Sequence, residues 1–241
     1  MSLADGPPPT NPTVRRRSTR DRPAKAPLSE EAVVDAALAI LQSDGLEAVT
    51  MRRVAAALDT GAASLYVYVS GRDGLLQAML DRVTAAIELE APDPSRWRAQ
   101  VHTLLQRMHQ ALVSHPGMAA LTLEDAPTTE VVLRLTENLL GLLLAGGIDP
   151  QDAVWASDIF VLLVTAVASE DDVRRARGRA DDDHRREQVA QFYKTFAGLP
   201  PDRFPFLTAH AAEMVAGDHD ERFRYAIDVV IDGVMARAAR R

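Results

Sequence analysis

From Ser29 onward, apolar side chains recur at spacings of three and four, with few β-branched alternating runs, so the chain reads as helical and no strand is expected. Ser29 followed by Glu30 and Glu31 has the form of an N-cap whose neighbouring charges suit the positive end of a helix. The helix it opens carries Val33, Ala36, Ala37, Ile40 and Leu41 on one face and stops near Asp44 and Gly45, where glycine accepts the left-handed capping conformation. Thr50 caps a short second helix with Met51, Val54, Ala55 and Leu58 inward and Arg52 and Arg53 outward. Asp59, Thr60 and Gly61 form a turn, and a third short helix over 62–69 points Leu65 and Val69 inward. Longer helices are predicted near 72–89, 95–114, 117–124, 128–145, 151–178, 184–197, 203–216 and 219–239.

Residues 1–28 do not share this pattern. They hold six of the 14 prolines and almost no bulky apolar side chain, so they cannot bury a core and read as a disordered arm. Six basic residues stand there against two acidic ones, within a chain of net charge -7. An overall negative balance argues against non-specific coating of nucleic acid, whereas a local basic arm suits a targeted contact. Cysteine is absent, which excludes a disulfide framework, a thiolate metal site and a cysteine nucleophile, and suits a reducing cytoplasm. The N-terminus does not read as a signal peptide. The longest apolar run, Ile159 to Ala168 broken only by Thr165, is about half the ~20 residues a bilayer requires, so a buried helix and no membrane partner are expected.

Two short helices joined by a tight turn let the second enter the major groove while the first braces on the backbone, although the same shape also occurs in ordinary helical bundles. Ala62, Ala63 and Ser64 are small enough to let the start of the third helix approach base edges, and Tyr66 and Tyr68 are able to donate to phosphates. The residues become specific when read together: Ile40-Leu41 and Gly45-Leu46 closing the first helix, Val49-Thr50-Met51-Arg52-Arg53-Val54-Ala55, then Gly61-Ala62-Ala63-Ser64-Leu65-Tyr66 and Arg72-Asp73-Gly74-Leu75-Leu76. Over 29–76 this resembles the DNA-binding domain of the tetracycline-repressor (TetR) family. The resemblance implies phosphate contacts at Thr50 and Tyr66, a base contact from Arg52, base-facing Ala62, Ala63 and Ser64, and backbone contacts at Tyr68 and Arg72. Val67 departs from the family, where an aromatic is frequent. Residues 29–76 carry seven acidic and three basic side chains, which does not favour phosphates. The arm offsets this: the fourteen residues from Arg15 to Ser29 extend about 46 Å at ~3.3 Å each, enough for Arg15, Arg16 and Arg17 to track a neighbouring minor groove.

Beyond residue 90 the resemblance is weaker, carried by Trp97-Arg98, by His115-Pro116-Gly117-Met118-Ala119 and by the stretch from Arg222 to Gly233. It implies an all-helical ligand-binding and dimerisation domain over 77–241. The helix from Gln151 is apolar on nearly every side at Trp155, Ile159, Phe160, Leu162, Leu163, Val164 and Val167, and so must be covered on two sides. The last helix, with Phe223, Ile227, Val230, Ile231 and Val234, is a second candidate for a subunit interface. A mostly apolar effector pocket is expected from Leu105, Met108, His109, Leu112, Leu135, Leu139, Phe160 and Leu163. His102 and His109 lie two turns apart on one helix face without carboxylates at ligand spacing, so no metal is expected. Trp97 and Phe204-Pro205-Phe206 either wall a ligand entrance or, more simply, anchor a loop. No nucleophile with its base, phosphate loop or paired-carboxylate site stands in recognisable context, so neither a cofactor nor enzymatic activity is expected. The expected molecule is all-α: a disordered basic arm (1–28), a three-helix helix-turn-helix domain (29–76) and a larger helical domain (77–241). Its expected partners are an operator of double-stranded DNA, a small effector and a second copy of the chain, in the cytoplasm. The competing readings are a helical carrier or enzyme with a purely structural N-terminal unit, and an activator or a regulator that responds to protein partners rather than ligand.

Overall fold

The computed structural model describes residues 27–122, 129–176 and 182–238, and among these every regular element is helical. The head comprises α1 (Glu30–Asp44), a 3-10 turn (Leu46–Ala48), α2 (Met51–Ala57), α3 (Ala62–Leu65) and α4 (Arg72–Ala85). The body comprises α5 (Trp97–Val113), α6 (Met118–Leu121), α7 (Glu130–Ala145), α8 (Pro150–Ala176), α9 (Asp182–Ala197), α10 (Pro205–Ala209), α11 (Ala211–Val215) and α12 (His219–Ala238). The expected helix over 203–216 is thus two short ones meeting at His210. The expected division after Leu76 falls inside α4.

The caps read from the sequence are in place. Ser29 Oγ accepts from Ala32 N at 3.2 Å, Thr50 Oγ1 accepts from Arg53 N at 3.2 Å, and Gly45 closes α1 at φ 81°. In the turn between α2 and α3, Asp59 takes the left-handed conformation (φ 50°), a position its short polar side chain tolerates. The third helix is shorter than the pattern suggested: its helical bonds end at Leu65, and residues 66–68 form a turn closed by Val69 N donating to Leu65 O.

One apolar core runs through the described chain, from Val33, Leu41, Val54 and Leu65 in the head, through Leu75, Met79 and Val83 of α4, to Leu105, Leu142, Phe160, Ile227 and Ile231 in the body. α5 lies at its centre, packed on α7 and α8, while α8 also meets α6 and α12. α8 has the length and apolar composition to cross a membrane, but Ala153, Ala156, Phe160, Val164 and Ala168 are buried in this core. The α4–α5 connection is clamped by polar side chains. Buried Gln100 accepts from Asp93 N (2.9 Å) and donates to Ala91 O (2.8 Å), Asn138 donates to Glu90 O (2.8 Å), and Arg107 donates to Glu88 O (2.8 Å).

Candidate nucleic-acid interface and sensor core

Leu65, fully buried, fixes α3 against α2, and this leaves Ala63, Ser64, Tyr66 and Val67 exposed, with Ala62 half-buried. Tyr66 and Val67 are 60% and 80% exposed, beside the small residues at the start of α3. Arg52 is exposed on α2, and Arg53 beside it is paired with Asp44 at the end of α1. Two of the residues assigned to backbone contacts also brace the head. Tyr68 donates its hydroxyl proton to Leu28 O at 2.7 Å, and Arg72 Nε donates to Val49 O at 3.1 Å. A phosphate oxygen only accepts, so a phosphate contact by Tyr68 takes its proton away from Leu28 O, whereas Arg72 keeps its terminal nitrogens for a phosphate. Arg15, Arg16 and Arg17 lie outside the described residues.

α4 ties this head to the body. Arg82 Nη2 reaches Asp35 Oδ1 on α1 at 3.0 Å, and Asp81 Oδ1 accepts from Thr129 Oγ1, the cap of α7, at 2.8 Å. An open cleft of about 590 Å³ lies on the same seam, between Leu38 of α1, Val83 of α4 with Ile87 just beyond it, and Ala111 of α5 with His115 just beyond it. Gly117, left-handed at φ 92°, faces the head so closely that a Cβ there would stand 3.1 Å from Leu46 Cβ. Its N–H donates to Asp172 Oδ2 on α8 at 2.7 Å. Burial raises the Asp172 carboxyl above its usual range, opposed by that bond and by Arg175.

The anticipated effector residues come together between α5, α7 and α8: Leu105, Met108, His109, Leu112, Leu139 and Phe160 are buried, and Leu135 and Leu163 pack against them. They belong to a different face of α5 from the one that lines the open cleft. Trp97 anchors the α7–α8 turn, its ring lying where a Cβ on Gly146 would be, whereas Phe206 is 80% exposed and walls nothing described. The last helix requires a correction. Phe223, Ile227, Ile231 and Val234, anticipated as interface, are buried in the chain's own core, and the apolar side chains that α12 leaves outside are Tyr225, Val229 and Met235. α8 similarly buries Phe160 and Val164 while Trp155, Ile159 and Leu162 stay exposed at successive turns.

His102 and His109 do not act as a pair. Each takes its own carboxylate: His102 Nε2 lies 3.0 Å from Asp228 of α12, beside Arg98, and His109 Nε2 lies 2.9 Å from Asp171 of α8. Sequence spacing missed these groupings because their members are 126 and 62 residues apart. The available signal was a pair of aspartates, Asp171 and Asp172, closing an otherwise apolar stretch of helix.

Comparison with known proteins agrees with the head-and-body reading. Residues 33–79 match the family described as bacterial regulatory proteins, tetR family, and residues 91–238 match the tetracyclin repressor-like C-terminal domain. The HTH-type transcriptional repressor DrrR1 of Streptomyces coeruleorubidus is 29% identical over 231 residues, which span 92% of this chain and 84% of that protein. ActR of Streptomyces coelicolor in its apo form is 32% identical, with a TM-score of 0.79 over 90% of this chain and 99% of that one. ActR in complex with actinorhodin gives the same identity and TM-score, over 88% and 97%. Helical head, helical body and these matches together place the chain in the TetR family of transcriptional regulators.

Proposed function

We propose that the chain is a repressor that binds a palindromic operator as a homodimer and leaves it when a small, largely apolar effector enters the body. The observation that carries this reading is the surface of α3, where small residues at the helix start and an exposed Tyr66 are held out by the fully buried Leu65. Such a helix reads base edges with Ala62, Ala63 and Ser64, joined by Arg52 of α2, while Thr50, Tyr66, Tyr68 and Arg72 position the head on phosphates, and Arg15, Arg16 and Arg17 add salt-sensitive attraction from the arm. Two-fold pairing through α8 and α12 presents two such helices to half-sites near ~34 Å or a multiple apart. The apolar cluster of Leu105, Met108, His109, Leu112, Leu135, Leu139, Phe160 and Leu163 is the effector's seat, supported by the small molecules bound to ActR, actinorhodin and (S)-DNPA. An effector releases DNA only by binding the two conformations unequally, and α4 is the element both ends share.

The test is fluorescence-anisotropy binding to the DNA flanking the chain's own coding region, followed by unbiased operator selection if that DNA does not bind. The expected result is salt-sensitive binding of two chains per site, lost in Tyr66→Ala at unchanged melting temperature. A Tyr66→Ala protein that binds the selected site with unaltered affinity would remove α3 from the interface.

A further inference from the structure

His109 on α5, Asp171 on α8 and His219 at the start of α12 converge at one point, with one ligand atom from each lying within 4.8 Å of the other two. Asp171 Oδ2 is 2.9 Å from His109 Nε2 and 3.2 Å from His219 Nε2, and the three side chains are only 7, 19 and 15% exposed. Buried polar atoms normally find hydrogen-bond partners. His219 Nε2 is buried without one, its approach to Asp171 being close but poorly aligned. The Phe223 ring, 5.3 Å from His109, holds the latter's imidazole in position.

Two imidazole nitrogens and a carboxylate oxygen, aimed at one point from three helices, are the donor set of a borderline divalent ion of the zinc and cobalt class. We propose that His109, Asp171 and His219 bind one such ion per chain, with water completing the coordination. This revises the expectation that no metal binds, which rested on His102 and His109 as a pair. Arg174 opposes the ion in the arrangement described. Its Nη1 lies 3.2 Å from His219 Nδ1, which therefore accepts and leaves the ring proton on Nε2. When the ion binds, that proton passes to Nδ1 through solvent, and the Nε2 proton that His109 gives to Asp171 passes likewise to its own Nδ1, so both rings stay neutral and Arg174 turns to Glu170, its partner already at 2.7 Å. Arg174 thus competes with the ion for His219, whereas in a site built only for hydrogen bonds it would be a supporting member.

The experiment uses the full chain, stripped with chelator and titrated with Co(II), read by visible d–d absorption and by competition with Zn(II). With no cysteine in the chain, any such absorption reports nitrogen and oxygen ligands. Expected are one Co(II) per chain, abolition of the signal in His219→Gln, and affinity raised roughly tenfold in Arg174→Gln, each protein being checked for wild-type helix content. Should His219→Gln misfold, hyperfine-shifted imidazole resonances in the wild-type Co(II) protein decide: signals from two histidines support the site, and their absence overturns it. A wild-type chain that takes up no Co(II) in stoichiometric amount, a band that survives in folded His219→Gln, or weaker binding in Arg174→Gln would each overturn it.

Discussion

At the scale of single residues, the informative positions are those where one atom's room is decided by a distant part of the chain. Gly146 has ordinary backbone angles (φ -77°), so nothing in its conformation demands glycine. What demands it is the Trp97 ring, whose atoms would lie 2.4–2.7 Å from an added Cβ. Gly146→Ala is expected to cost about 1–3 kcal/mol by overpacking. Chemical denaturation checks this, and the cost should shrink in a Trp97→Leu background, because the two changes share one contact. Equal cost in both backgrounds would place the strain elsewhere. The sequence pointed to Trp97 as a loop anchor, but the identity of the anchored loop was out of reach, since Gly146 and Trp97 share no local pattern. The caps at Ser29 and Thr50 were legible for the opposite reason: donor and acceptor lie three residues apart, and a capping bond needs nothing beyond that span.

Among elements, α5 organises the body by carrying two histidine-carboxylate groupings to α8 and α12. At the α12 end, partial burial pulls the Asp228 carboxyl upward, but hydrogen bonds from His102 and Arg98 outweigh that and hold it below its ordinary value. Arg98 is correspondingly raised, chiefly by Asp232 and despite some burial. A carboxyl depressed in the folded state contributes stability that is present above its unfolded value, near 3.8, and is lost as the pH falls through the lowered one. Asp228→Asn should therefore melt below wild type at pH 7, and the gap should begin to narrow near about pH 4 and close only as the pH falls through the lowered value. The Asp228 side chain is 44% exposed, so solvent screening limits the gap to about 1 kcal/mol or less. Thermal melts between pH 7 and pH 3 check it, and a gap that does not narrow below about pH 4 would show that packing, not charge, is what the residue supplies. Helix periodicity located α5, α8 and α12, and it gave the inward faces of α1 and α2. It erred on α12 because a stripe such as Phe223, Ile227 and Ile231 announces burial without naming what buries it.

For the whole molecule, Trp155, Ile159 and Leu162 on α8 and Tyr225 and Val229 on α12 are exposed, and they are the surface proposed above for the second copy. Because Ile159 and Leu162 are 47% and 56% exposed in the single chain, Ile159→Glu combined with Leu162→Glu should leave the monomer folded. Sedimentation should then show the dimer replaced by monomer, with operator affinity falling as the second reading helix is lost; an unchanged dimer would move the interface to another face. The single apolar core has a different consequence, for the modularity of the chain. Head and body are matched as separate families, ending at residue 79 and resuming at 91, which invites the view that reading heads are exchangeable parts. Here Met79, Leu80 and Val83 lie in the core on either side of that boundary, and Leu46 of the head presses on Gly117 of the body. A graft cut at residue 79 would carry the head of one regulator and divide α4, leaving Leu80 and Val83 on the other side of the cut. Transferred with the whole of α4, and with a residue shaped like Leu46 kept opposite Gly117, a foreign head would keep the packing that joins it to this body, so that the transferable unit is the head together with its seam.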